Sequence, residues 1–199
     1  MADLEKTRKN LEGRGFRVHR FASGAEAAEF LVQTLHGTSI GIGGSVTIDT
    51  LGVYDRLCGS NKVFWHWKNH APETRERAGK AETYLCSANG VSENGEIVNI
   101  DGFGNRVAGT IYGPERVFLV VGRNKIAPDL TGAIDRTRNI AAPLNARRLN
   151  RHTPCAVGEP RCHDCRSPEK ICGVMTVFFM PPTSIKEFHV ILVDEDLGY

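Results

Sequence analysis

Four of the six cysteines, Cys155, Cys162, Cys165 and Cys172, fall in one short stretch, TPCAVGEPRCHDCRSPEKIC. Their spacing is C-x6-C-x2-C-x6-C. The central pair can grip one metal ion or two irons of one cluster, and the outer pair can fold back from either side to complete four thiolates. Pro154, Gly158, Pro160 and Pro168 break regular structure, as a ligand loop requires. Arg161, Arg166 and Lys170 offset the charge that four thiolates concentrate. The bland alternative is two disulfides, or two reduced pairs that stabilise a loop. A zinc ribbon more typically uses two close Cys-x-x-Cys pairs, and only one is present, which leans towards a [4Fe-4S] cluster and leaves zinc open. His163 reads as a flank of the central pair, and the isolated Cys58 and Cys86 as small buried hydrophobes.

Three polar stretches offer a different chemistry. GIGGSVT, residues 41 to 47, sits where a strand gives way to a helix, and its glycines would let backbone amides approach an anion. It is neither a P-loop nor a dinucleotide fingerprint, and a plain tight turn explains it equally well. NIDGFGNRVAG, residues 99 to 109, combines an acceptor and possible base, Asp101, with the donors Asn105 and Arg106. Asp101 could instead cap the helix that follows, with Asn105 tying down the turn. VVGRNKI, residues 120 to 126, supplies Asn124 and Lys125 just past an apolar strand, the end of an open α/β sheet where ligands collect. Three such loops after three strands can converge on one crevice, which says more than any of them alone.

The elements that must position these loops alternate helix and strand. Leu4 to Leu11 feeds FRVHRF, and Gly24 to Gln33 feeds TSIGIG. TIDTLGVYDRLC reads as one amphipathic helix on Ile48, Leu51 and Leu57, followed by the strand KVFWHW, whose Trp65 and Trp67 share a side and are expected in the core. Pro72 suits a helix start. ETYLCS is a strand, after which Glu93, Asn94 and Gly95 turn a small projecting hairpin. GNRVAGTIYG forms a short helix, and RVFLVVG is a continuous apolar run suited to the middle of a sheet covered on both faces. A helix from Asp129 to Leu149 with a break at Pro143 leads to the cysteine loop, and VMTVFFM and EFHVILV close the chain as β segments.

A chain of 199 residues, 41% hydrophobic and 24% charged, can bury one sizeable core, so residues 1–199 are expected to form a single domain with the cysteine loop, 153–173, inside it. A net charge of +2 gives no field that favours nucleic acid as a partner. Arg136, Arg138, Arg147, Arg148 and Arg151 read mainly as a solvated helix face, with an anionic ligand or partner as the alternative. The N-terminus is charged where a secretory signal would be apolar, and no stretch is long enough to span a bilayer, so a cytoplasmic location is expected. Thiols stay reduced there, which favours ligands or catalysts over disulfides.

GIGGSVT, ANGVSENGEIVNIDGFGNRVAGTIYGPERVFLVVGRNKI, AAPLNARRLN, the cysteine stretch and HVILVDEDLGY together resemble the LUD-domain family, named for lactate utilisation, over essentially the whole chain. The resemblance implies a fold similar to the ribose-phosphate isomerase, glucosamine-phosphate deaminase and CoA-transferase group: a central, mostly parallel sheet flanked by helices. It further nominates Gly43, Gly44, Ser45 and Thr47 for anion contact, and Asn89, Asp101, Asn105, Arg106, Asn124 and Lys125 for the crevice walls. Asp101 and Lys125 are the expected reactive pair, the first as base and the second, with Arg106, steadying negative charge on a carboxylate or phosphate.

By that resemblance the protein is expected to serve a system that oxidises L-lactate or a related 2-hydroxy acid to the oxo acid, alongside iron-sulfur partner proteins. The ligand would be a small carboxylate or phosphorylated metabolite. Two other readings stay open: a metabolite-binding or regulatory module with a structural metal, and an isomerase acting alone on a sugar phosphate. The sequence is silent on oligomeric state.

Overall fold

The computed structural model describes residues 2–199. In chain order the elements are α1 (Leu4–Gly13), β1 (Arg17–Phe21), α2 (Gly24–Thr34), β2 (Ser39–Ile42), α3 (Val46–Leu51), α4 (Tyr54–Cys58), β3 (Lys62–Trp65), α5 (Thr74–Gly79), β4 (Thr83–Ser87), β5 (Gly90–Ser92), β6 (Ile97–Asp101), α6 (Asn105–Ile111) and β7 (Arg116–Gly122). They continue with a 3-10 turn (Arg123–Lys125), β8 (Ile126–Ala127), α7 (Leu130–Arg136), a π-helical turn (Thr137–Ala141), α8 (Ala142–Arg148), α9 (Pro154–Val157), β9 (Val174–Phe178) and β10 (Glu187–Val193).

A six-stranded sheet runs in the order β1-β10-β7-β4-β2-β3, with every pairing parallel. Its middle strands bury both faces, and period-two alternation divides their side chains between two cores. Val117, Leu119 and Val121 of β7 join Tyr84 and Cys86 of β4 and Val190 and Leu192 of β10 on one face. Phe118 and Val120 join Leu85, Ile191 and Val193 on the other. Each fully buried aliphatic or aromatic side chain contributes about 1.5–3 kcal/mol relative to exposure. The apolar run RVFLVVG therefore sits where its composition predicts, inside the sheet with β10 and β4 on its two edges.

The segment after β4 forms more than the projecting hairpin expected. β5 and β6 pair antiparallel around the turn at Glu93 to Gly95, but β8 adds to one edge and β9 to the other, making a second, four-stranded sheet. β9 reaches it from the far end of the chain, a long-range pairing that no local signal announces. Val91, Ile97 and Phe178 of this sheet pack into the same core as β4, β7 and β10.

Two helix expectations need correcting. TIDTLGVYDRLC is two short helices, α3 and α4, because Gly52 ends α3 in the left-handed conformation (φ 63°). The stretch 129–149 breaks one turn before Pro143. A π-helical turn at Thr137–Ala141 absorbs the missing proline amide, and Pro143 then sits in the first turn of α8, where it has no amide to offer. Cys86 is buried as expected, whereas Cys58 is exposed. Among the described residues, no helix is long and apolar enough to cross a membrane.

Candidate functional site

The chain leaves β2 towards β3 on one side of the sheet, and β4 leads away into the second sheet. A crevice opens where these paths diverge, at the carboxyl ends of the parallel strands. Its inner part, about 60 Å³, lies between the turn after β2, the end of β4, the 3-10 turn after β7 and the start of α8. An outer cleft of about 730 Å³ shares Gly44, Trp67, Ile100, Arg106, Asn145 and Ile171 with it and opens past the cysteine loop.

Lys125 lies in the inner crevice and is 3% exposed. Its Nζ donates to Thr47 Oγ1 and to Ser87 Oγ, each at 2.7 Å. Both hydroxyls spend their own protons on backbone carbonyls, Thr47 on Leu197 and Ser87 on Val120. Burial first, then the positive charges of Arg136 and Arg106, push the Lys125 ammonium down to about 7. The side chains lining the inner crevice include no carboxylate or imidazole, and Tyr199, the last residue of the sequence, lines it as well.

Arg106 organises the wall. From the first turn of α6 its guanidinium donates to the Ser87 carbonyl (3.1 Å), Asn99 Oδ1 (2.8 Å), Asn89 Oδ1 (2.6 Å) and the Ile100 carbonyl. Asn89 Oδ1 also accepts from the Ile100 amide at 2.9 Å. Asn89 and Arg106 thus reach the inner crevice as a bonded pair. Arg136, read as solvated, is instead buried and ties the Asn124 and Asn89 carbonyls together, and burial lowers its guanidinium to about 10.

Asp101 accepts from the Arg106 amide (2.9 Å) and the Val107 amide (3.3 Å), so it caps α6 and lines the outer cleft, whereas Lys125 lines the inner crevice. The structure therefore puts the two expected partners in adjoining compartments. Asn105 borders the outer cleft, and its carbonyl accepts from the Tyr84 hydroxyl at 3.1 Å. Asn124 clamps the C-terminal segment, accepting from the Leu197 amide and donating to the Gly198 carbonyl, each at 3.1 Å. Gly44, Ser45 and Thr47 line the inner crevice, and Ser45 also caps α3 through the Ile48 amide. Gly43 lies beneath Arg106 and Tyr84, where a Cβ would stand 3.0 Å from each.

Several residues of the site carried no local signal. Ser87 ends a strand and reads as part of it. Trp67, expected in the core, stacks on Trp65 (5.5 Å between ring centroids) but lines both compartments, with the Arg148 guanidinium 4.6 Å over its ring. Arg148 and Arg151 border the outer cleft, and Arg147 donates to the Ala156 and Gly158 carbonyls at the start of the cysteine loop. The arginine run is thus largely engaged with the cleft and the loop, not simply solvated.

All four clustered cysteines are free and line one small pocket with Arg138, Lys170 and Ile171. Asp164, in the left-handed conformation (φ 47°), turns the central pair so that its amide donates to Cys162 Sγ at 3.4 Å. The Arg138 guanidinium donates to the same sulfur at 3.4 Å. Burial, assisted by the three neighbouring thiols, raises the Cys172 thiol above its ordinary value despite Lys170. Among the described residues, no three His, Cys, Asp or Glu side chains stand close enough together to hold a single metal ion. Ala142 and Ile171 line both this pocket and the inner crevice.

The profile of the LUD domain matches residues 4–193. The chain belongs to the LUD-domain family. A similar solved structure is that of a DUF162 family protein from Deinococcus radiodurans, 14% identical, with a TM-score of 0.56, covering 96% of this chain and 95% of that one. At that identity the likeness speaks for the fold of this LUD domain alone. No curated protein matches the sequence.

Proposed function

We propose that this LUD-domain protein is a cytoplasmic component of a system that oxidises L-lactate or a related 2-hydroxy acid to the oxo acid. The small acid would occupy the inner crevice, and Cys155, Cys162, Cys165 and Cys172 would hold a [4Fe-4S] cluster. The observation that carries the reading is the wall shared by the two: Ala142 and Ile171 face the crevice on one side and the cysteines on the other. The donors around the sulfurs support a cluster, since an amide and a guanidinium directed at Cys162 favour a thiolate. A cluster spaces its thiolates more widely than one ion does, which suits four cysteines that share a pocket without converging on a point. When bound, it would supply a one-electron relay towards iron-sulfur partner proteins.

The chain's own residues bind and orient. Arg106 provides positive charge for the carboxylate, and Asn89 and Arg106 fix the wall it rests against. Proton removal within the inner crevice falls to Lys125, which near pH 7 is partly the free amine. Asp101 can act as a base only towards a ligand that reaches the outer cleft.

The absence of a carboxylate or imidazole side chain from the inner lining favours a second reading, a metabolite-binding module with a structural metal. One experiment separates them. Protein purified without oxygen is assayed for iron, acid-labile sulfide and visible absorption, and its melting temperature is followed with added lactate and pyruvate. The first reading expects about four irons and four sulfides per chain and a bleachable absorption. A colourless protein with one zinc, stabilised by the acids without turnover, would replace it with the second.

A further inference from the structure

We propose that Lys125 captures the carbonyl of a small 2-oxo acid as a reversible imine. The assignment rests on the preceding reading only for the choice of a small acid as ligand. The geometry comes from hydrogen-bond bookkeeping around one nitrogen. Thr47 and Ser87 each give their hydroxyl proton to a backbone carbonyl, so towards Lys125 each oxygen can only accept. A neutral amine has two N–H groups, and both are spent on these acceptors at 2.7 Å. The nitrogen's bond to its own side chain takes a third direction. The fourth carries the lone pair, and it has no hydrogen-bond partner among the described residues.

The surroundings favour that state. The guanidinium groups of Arg136 and Arg106 lower the pKa of Lys125, Cys86 opposes them to a lesser extent, and the inner lining includes no acidic side chain to serve as a counter-ion. Desolvation of an ammonium without a paired anion favours the free base, which is how buried lysines become nucleophiles. A cavity of about 60 Å³ has room for roughly four to six water-sized groups, the size of a three-carbon oxo acid. Anything longer would extend past Trp67 into the outer cleft.

The step balances without an oxidant. The Nζ lone pair forms a bond to the carbonyl carbon, and the carbonyl oxygen takes up the amine proton to give a carbinolamine. The C–O bond then breaks as the nitrogen lone pair closes the C=N bond, and the departing hydroxyl takes the second amine proton and leaves as water, so that a neutral imine remains. Water attacking the imine carbon reverses the sequence.

The test is reductive trapping on the full-length protein. Wild-type protein is incubated near neutral pH with pyruvate and cyanoborohydride, digested, and each of its eight lysines is mapped by mass spectrometry. Melting temperature is recorded in parallel with pyruvate and with lactate, which lacks the carbonyl. The proposal expects one N-(1-carboxyethyl)lysine, at Lys125, and its loss in Lys125→Met. Mapping on the wild type keeps the test valid even if that variant folds poorly. Stabilisation by pyruvate without an adduct at Lys125 would overturn the imine and leave the small-acid crevice standing. Neither adduct nor stabilisation would overturn both. Adducts spread over exposed lysines with Lys125 unmodified would also overturn the imine.

Discussion

A single ammonium decides most of the chemistry open to this protein. Lys125 lies at the end of the strand with the longest apolar run, so chain continuity carries it into a dry site where charge is costly. The folded-state value of about 7 lies below the ordinary 10.5, so between these limits the unfolded chain binds a proton that the folded chain lacks. Stability must therefore rise with pH across that interval. The penalty is fully present below about 7 and gone above 10.5, and it amounts to about 5 kcal/mol at most. Urea melts of the ligand-free wild type from pH 7 to 10 should show this rise, and Lys125→Met should flatten it. Equal slopes for the two would mean that Lys125 keeps an ordinary value. The VVGRNKI motif made the lysine visible in the sequence, but not its partners. Thr47 comes from the first turn of α3 and Ser87 from the end of β4, and only their approach makes the lysine a buried amine held between two hydroxyls.

At the level of elements, the cysteine loop and the segment after β6 are one unit. Gly102, in the turn after β6, lies against Ile171, and a Cβ there would stand 2.7 Å from the Ile171 Cα. Ile171 adjoins Cys172 and forms part of the shared wall. Gly102→Ala should therefore displace the loop, destabilising the protein by about 1–3 kcal/mol and lowering iron content after anaerobic reconstitution. Full iron content and unchanged proteolytic resistance across residues 158–173 would contradict that coupling. The sequence showed both segments as loops with chemistry but not their contact, because a glycine that admits a distant backbone looks the same as one that makes a turn. The π-helical turn is a similar case. Pro143 announced a break, yet the distortion falls on the preceding turn, whose last residue, Ala141, together with Ala142 lines the crevice.

Across the whole molecule, the two sheets share one core, since Val91, Ile97 and Phe178 pack with residues of β4, β7 and β10. Unfolding should accordingly be a single transition, with far-UV circular dichroism and the fluorescence of Trp65 and Trp67 changing together. Separate midpoints would assign the second sheet its own cooperativity. The sequence by itself determined the α/β class and the three polar loops, because period, apolar runs and turn residues act over a few neighbours, whereas the mostly parallel sheet was implied by the family resemblance. It also placed four thiols within one eighteen-residue stretch, although an extended chain of that length could span about 60 Å and only the fold gathers them in one pocket. Only the tertiary structure decided that β9 would complete a second sheet, that Asp101 would cap a helix beside the outer cleft while Lys125 occupied the inner crevice, and that an arginine run would brace the cysteine loop. These outcomes depend on which distant segments meet, and burial, charge and hydrogen-bond saturation acquire their values only after that meeting.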